Sequence, residues 1–405
     1  MSAPAAAGAW SPFRFRTFSV LWGAALVSNI GSWMHDMAAG WLMTTLAPAP
    51  LMVALVQAAT TMPVFLLALP AGTLADRVDK RHLLLLVQTA MLVLAAILGL
   101  LVLRGLVTQR LLLAVTFGLG ACTAILSPVW QSILPRLVPR EQLQPAVALQ
   151  AVGVNISRAI GPALGGAIIV AFGLAWPFFF NAASFIGVIA ALLWWRSDGD
   201  PPRQTPAGGF MHAMFEGLRH AGINRALRNA LARSALFYLF GSAYWALLPL
   251  IARVQLAGDA RLFGVLVGFI GAGAVGGAVF LPRLRGRVGL DGVVRAGTIG
   301  TALAMSGYAL LHVPVLGMLA SLLAGASWIA SLSSLNFAAQ LAVSDSLRAR
   351  GMALYTSVFY GCLAFGSIIW GQAAAHLGIG GALLLAAGGA LAALSLSVKL
   401  PLNPR

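Results

Sequence analysis

The sequence predicts an all-α membrane protein with twelve transmembrane helices in two pseudo-symmetric six-helix halves. Three observations predict it. Apolar stretches of about eighteen residues or more recur along the whole chain, each long enough to cross about 30 Å of hydrocarbon as helix. Of the 405 residues 60% are hydrophobic and 9% charged, where a soluble domain carries about a quarter charged residues. The Lys and Arg gather in alternate connections, as they do where a chain recrosses a bilayer. A transmembrane barrel is excluded, because its strands alternate apolar and polar residues over short segments. The formal charge of +16 does not indicate nucleic acid, since the basic residues sit in short loops and form no single soluble face.

In chain order the spans fall at roughly 17–44, 51–75, 82–103, 109–135, 143–171 and 175–195, then 226–252, 262–282, 291–311, 314–341, 350–375 and 379–399. Arg14 and Arg16 before the first span imitate a signal peptide, but eleven further spans and no convincing cleavage site favour an uncleaved helix. With both termini on the cytoplasmic side, only Arg104, Arg110, Arg253 and Arg261 fall in loops on the other face, and Arg158 is expected as the one basic residue inside a span. Cys122 and Cys362 lie in apolar spans without metal-ligand neighbours, so packing is expected of them and a disulfide framework is not. The polar segment rich in Pro and Gly, 196–225, reads as a cytoplasmic linker between a bundle of residues 1–195 and another of 226–405. Displacing the sequence by 205 residues lays Gly72 on Gly277, Gly120 on Gly325, Gln131 on Asn336, Gly161 on Gly366 and Gly166 on Gly371. An internal repeat of one orientation follows.

Between spans two and three stands Ala71-Gly72-Thr73-Leu74-Ala75-Asp76-Arg77-Val78-Asp79-Lys80-Arg81, charges of both signs that must lie at a membrane surface. This hairpin resembles the Gly-x-Leu-Ala-Asp-Arg-x-Gly-Arg-Lys loop of the major facilitator superfamily, with Asp79 where that pattern has glycine. Pro128-x-x-Gln131-Ser132-x-Leu134-Pro135-Arg136, Asn155-x-x-Arg158-x-x-Gly161-Pro162-x-x-Gly165-Gly166 and Asn181-Ala182-x-Ser184-Phe185 are similar to the branch containing the enterobactin and macrolide exporters. The resemblance implies the major facilitator fold and export of an amphipathic small molecule, drug, macrolide or siderophore-like, by a drug:proton antiporter. It also implies a latch in which Gly72, Asp76, Arg77, Lys80 and Arg81 hold the start of span eleven near Gly351. One departure bears on the coupling: span four, Leu111 to Pro135, lacks the arginine many proton-coupled exporters carry there.

Asp36 is expected as the one carboxylate within a span, where unpaired charge costs several kcal/mol. Asn29, Trp33 and Asp36 share a helical face at i, i+4 and i+7, and Tyr238, Ser242 and Trp245 repeat that spacing on span seven. Asp36 either lines a passage, paired with Arg158 as a coupling group, or is wetted at the end of its span. Gln57, Gln131, Asn336, Gln340 and Tyr360 complete the expected lining. Gly161, Pro162, Gly165 and Gly166 read as a packing or bending motif. Gly271-x-Gly273-x-x-Gly276 spells a dinucleotide fingerprint, yet lies in a span with no strand before it and is expected to be packing.

Together these readings describe a multi-pass protein of the bacterial inner membrane and not an enzyme. Its partners are a small-molecule substrate and membrane lipids, with no nucleic acid, no metal and no cofactor beyond a proton gradient, and it is expected to be monomeric. An importer or facilitator, or a scramblase or non-transporting membrane protein, remains the alternative.

Overall fold

The computed structural model describes residues 8–195, 224–344 and 348–402, with the side chains of 68–69, 72–77 and 349–350 left aside. The expected linker therefore lies almost wholly outside the described residues. Ten long helices account for nearly all the rest: α1 Arg16–Leu46, α2 Pro50–Arg77, α3 Lys80–Leu103, α4 Gln109–Leu137, α5 Leu143–Phe172, α6 Trp176–Trp194, α7 Arg225–Leu250, α8 Ala260–Leu310, α9 Pro314–Leu341 and α10 Arg348–Ser397. Nine helices among the described residues are long and apolar enough to cross a membrane.

Local chemistry sets the helix starts. The side chains of Asp79, Thr108, Asn224 and Asp259 accept from the backbone N–H groups of His82, Leu111, Leu227 and Leu262, which would otherwise be orphaned. Pro177 and Pro314 sit in first turns, where a missing N–H costs nothing. Pro249 instead lies within α7, and the helix passes directly into a π-turn, Ile251–Gln255. The charged hairpin is almost entirely helical, leaving only Val78 and Asp79 between α2 and α3.

Two helices differ from expectation. α8 has 51 residues and α10 has 50, so each would run about 75 Å if straight, more than twice the hydrocarbon thickness. Each breaks at a glycine with positive φ, Gly289 at 67° and Gly378 at 74°. At these positions L residues meet a Cβ clash that glycine escapes, and each break falls in the gap the sequence left between two spans.

In the first half α1 packs on α5 and α6, α2 on α4, and α3 on α4 and α6. In the second, α7 packs on α10 and α8 on α9. The halves meet through α2 on α10 and α5 on α8. Glycines 205 residues apart make matching contacts. A Cβ on Gly166 of α5 would lie 2.7 Å from the Ala260 carbonyl oxygen of α8, and one on Gly371 of α10 would lie 2.6 Å from Ala54 Cβ of α2. Gly161 lies against Ile30 and Trp33 of α1, as Gly366 lies against Leu239 and Ser242 of α7.

Candidate functional site

The two halves are sealed at the face away from the chain termini. There Arg253 donates from Nη1 to Thr44 Oγ1 at 2.9 Å and Thr45 Oγ1 at 3.0 Å, and its guanidinium lies 5.6 Å from the Trp41 ring centroid. Trp41 stacks on Phe263, and Gly40 leaves 3.3 Å between its would-be Cβ and Pro249. The fifth-helix motif continues the seal: Gly161 and Gly165 admit α1, while Pro162 and Gly166 admit Gly264 and Ala260 of α8. Two of the three glycines in the Gly271 triplet pack, Gly271 against Ala159 and Gly273 against the Leu322 backbone. Beyond Ala159 and Gly271 the α5–α8 pair parts, since Gly276 faces open space and Val275, Val279 and Phe280 are exposed.

Arg158 lies where that seal ends. Its guanidinium is 5.3 Å from the Trp33 ring centroid, its Nε is buried with no hydrogen-bond partner, and its charge acts on Tyr244 and Tyr360 of the opposite half. A guanidinium over an aromatic face is worth about 0.5–2 kcal/mol, yet leaves its edge free to donate. The anticipated pair with Asp36 is not formed, and Asp36 has no hydrogen-bond or ion-pair partner among the described residues. Asp36 is accessible although protein surrounds it. It shares a stripe with Trp33, beside Arg158, and Gly40, beside Pro249, which aims it between the halves. His35 turns the other way, buried against Phe178 of α6.

The facing wall is aromatic. Trp245 is half-buried and packs on Tyr244 and Trp328; Phe359 links Trp328 to Tyr360. The indole Nε1 of Trp245 and the hydroxyl of Tyr244 are buried without partners. Tyr238, expected to line the passage, is instead fully buried, its hydroxyl 2.7 Å from that of Tyr355. Ser242 is likewise packed, beneath Gly366. Tyr244, which sequence spacing missed, is the tyrosine of α7 on which the Arg158 charge acts. Asn29 and Gln57 are half-buried, and Gln131 is exposed. Asn336 and Gln340 hydrogen-bond to each other at 2.6 Å and line a cleft of about 500 Å³ with Arg285.

The expected latch at Gly72, Asp76 and Arg77 lies outside the described side chains. Of its other members, Lys80 is buried and Arg81 donates to the carbonyls of Leu192 and Leu193 at 2.8 and 2.9 Å, tying α3 to the end of α6. Arg158 is not the sole basic residue inside a span. Arg233, eight residues into α7, is buried and ion-pairs with Asp291 of α8, whose other oxygen accepts from Leu402 N at 3.2 Å. The signal was a second arginine in the seventh apolar run, absorbed there into the charge of a neighbouring loop.

An all-helical body of membrane-crossing helices, with Arg158 over Trp33 and an aromatic cluster where its helices meet, is the build of a membrane transporter. The chain belongs to the major facilitator family described as transmembrane secretion effector, which it matches over residues 7–405. The staphyloferrin A transporter of Staphylococcus aureus is 24% identical over 264 residues, 64% of this chain and 66% of that protein. The enterobactin exporter of Salmonella typhimurium is 28% identical over 270 residues, 65% of this chain and 62% of that protein. The chain thus spans a little under two-thirds of the length of these relatives. The fold is similar to that of an inward-facing bacterial homologue of the lysosomal transporter Spinster, with TM-score 0.69 at 16% identity over 96% of this chain and 95% of that one. A nucleoside transporter gives 0.78 at 12% identity over 96% and 99%.

Proposed function

We propose that the chain is a twelve-span secondary transporter that exports an amphipathic small molecule from the cytoplasm by alternating access. Splitting α8 at Gly289 and α10 at Gly378 gives the twelve spans, and the matched contacts at Gly166 and Gly371 support two equivalent bundles. The observation that carries the reading is the uneven meeting of the halves. α5 and α8 are sealed at one end and part at the other, with Arg158 and the Tyr244–Trp245–Tyr360 wall between. Positive-inside loops support placing the open end and both termini in the cytoplasm. Transport follows when the seal and the opening exchange ends, a two-state change that substrate binding biases.

The aromatic lining and the Arg158 guanidinium suit a siderophore-like or drug-like amphiphile, and the relatives' names support a siderophore-type cargo. Proton entry in exchange for substrate is the coupling we favour, with Asp36 as the group that takes up the proton. The test is transport by purified protein in liposomes under an imposed proton gradient, using staphyloferrin A, enterobactin and a cationic dye. Gradient-driven movement of one cargo out of the compartment facing the termini is expected. Uptake in the reverse direction, or labelled-lipid scrambling without a gradient, would overturn it.

A further inference from the structure

The cleft between α8 and α9 lies at the end near the termini and combines apolar walls with convergent polar groups. Leu281, Leu332 and Phe337 give it apolar walls, and Arg285, Ser333, Asn336 and Gln340 converge on about 500 Å³ of open space. That is within the size range of small-molecule sites, which combine apolar walls with a few placed polar groups. Arg285 donates from Nη2 to Ser334 Oγ at 3.3 Å and lies 5.0 Å from the Phe337 ring centroid. These contacts fix the guanidinium plane but leave Nε buried with no acceptor. No carboxylate among the described residues pairs with it. A buried, oriented N–H of a cation without an acceptor is costly, and an oxyanion bound side-on to Nε and Nη2 would satisfy it.

We propose that this cleft is a binding site for the acidic oxygen group of an amphipathic molecule, held by Arg285 with its apolar part against Leu281, Leu332 and Phe337. The site is separate from Arg158 and lies nearer the termini. This deepens the transport reading by naming an acidic amphiphile as the class received, and rests on it only for where the molecule goes next.

The experiment is calorimetric titration of the full chain in phosphatidylcholine nanodiscs with 1-naphthoate and its neutral analogue 1-naphthamide. Naphthoate should bind about tenfold more tightly, the equivalent of one charge-assisted hydrogen bond. Arg285→Gln should abolish that preference, and Ser333→Asp, which offers Arg285 an internal carboxylate, should abolish it by a second route if the first variant folds poorly. Phosphatidylglycerol nanodiscs distinguish the sources of the acidic group. Undiminished naphthoate binding there supports a soluble acid, and competition by the anionic lipid supports a headgroup on the same arginine. Equal affinity for acid and amide, or a preference that survives in both variants, would overturn the proposal. Binding is read without a gradient, so its failure leaves the transport reading standing, and a wild type that binds but moves nothing would separate the two.

Discussion

Arg158 and Asp36 show what one charge in a hydrophobic chain commits the fold to. Arg158 stacks on Trp33 with an unsatisfied Nε and two phenols of the other half within its field. Arg158→Gln, which keeps a donor but loses the charge and the stacking, should lower transport at least about tenfold, the cost of one charge-assisted hydrogen bond. Arg158→Lys should fall between, because an ammonium cannot stack or fork as a guanidinium does. Transport equal to wild type in the Gln variant would remove Arg158 from the passage. Asp36→Asn should abolish gradient-driven transport while leaving downhill exchange and expression intact; driven transport that persists would dissociate Asp36 from coupling. Both residues were legible as charges inside apolar runs. Their separation was not, because helical spacing gives a side chain's face but not which neighbour claims it. Trp33, the aromatic one turn from Asp36, took the guanidinium, and Tyr238 was claimed by Tyr355.

At the scale of the element, ends were easier to read than junctions. Asp79 was visible as an odd residue in a glycine position, and the structure gives it work as the cap of α3, accepting from His82 N at 2.8 Å. That backbone N–H is the chief reason its carboxyl titrates below the usual carboxylate range. A folded pKa below the unfolded one adds stability that is full above the ordinary carboxylate pKa and is lost as pH falls through the folded value. Asp79→Ala should therefore cost about 1 kcal/mol or less at neutral pH, with the gap to wild type closing in acid, as thermal unfolding at several pH values would show. Glycine pairs were the other readable signal. Gly166→Leu would drive a side chain into the Ala260 carbonyl, and Gly371→Leu one into Ala54. Overpacking costs about 1–3 kcal/mol, charged to the sealed state alone, so the sealed population should drop by about ten- to a hundredfold. Accessibility labelling of a cysteine introduced at Ala159 reads this from the far face, and unchanged labelling would show that the two glycines do not hold the seal.

For the whole molecule, an all-helical membrane body could be read from composition, because in hydrocarbon a spanning segment must satisfy its backbone hydrogen bonds internally. The state of the passage could not, since no residue type encodes which end is shut. Arg253 illustrates the gap. Its place in a loop away from the termini was plain, but its grip on Thr44 and Thr45, the seal between halves, depends on the π-turn that follows Pro249. If the molecule works by exchanging ends, holding this seal shut must stop it without disturbing either bundle. With Cys122 and Cys362 changed to Ser, Thr45→Cys and Arg253→Cys joined by a short reducible bifunctional linker should end transport, and reductant should restore it. Each single cysteine with the same reagent should retain activity. Binding of 1-naphthoate from the side of the termini should survive the link, because the cleft at Arg285 is at the opposite end of the first segment of α8 from Arg253, Thr44 and Thr45. Transport that continues through a linked far end would mean the substrate never passes between the halves, and the alternating-access reading would fall.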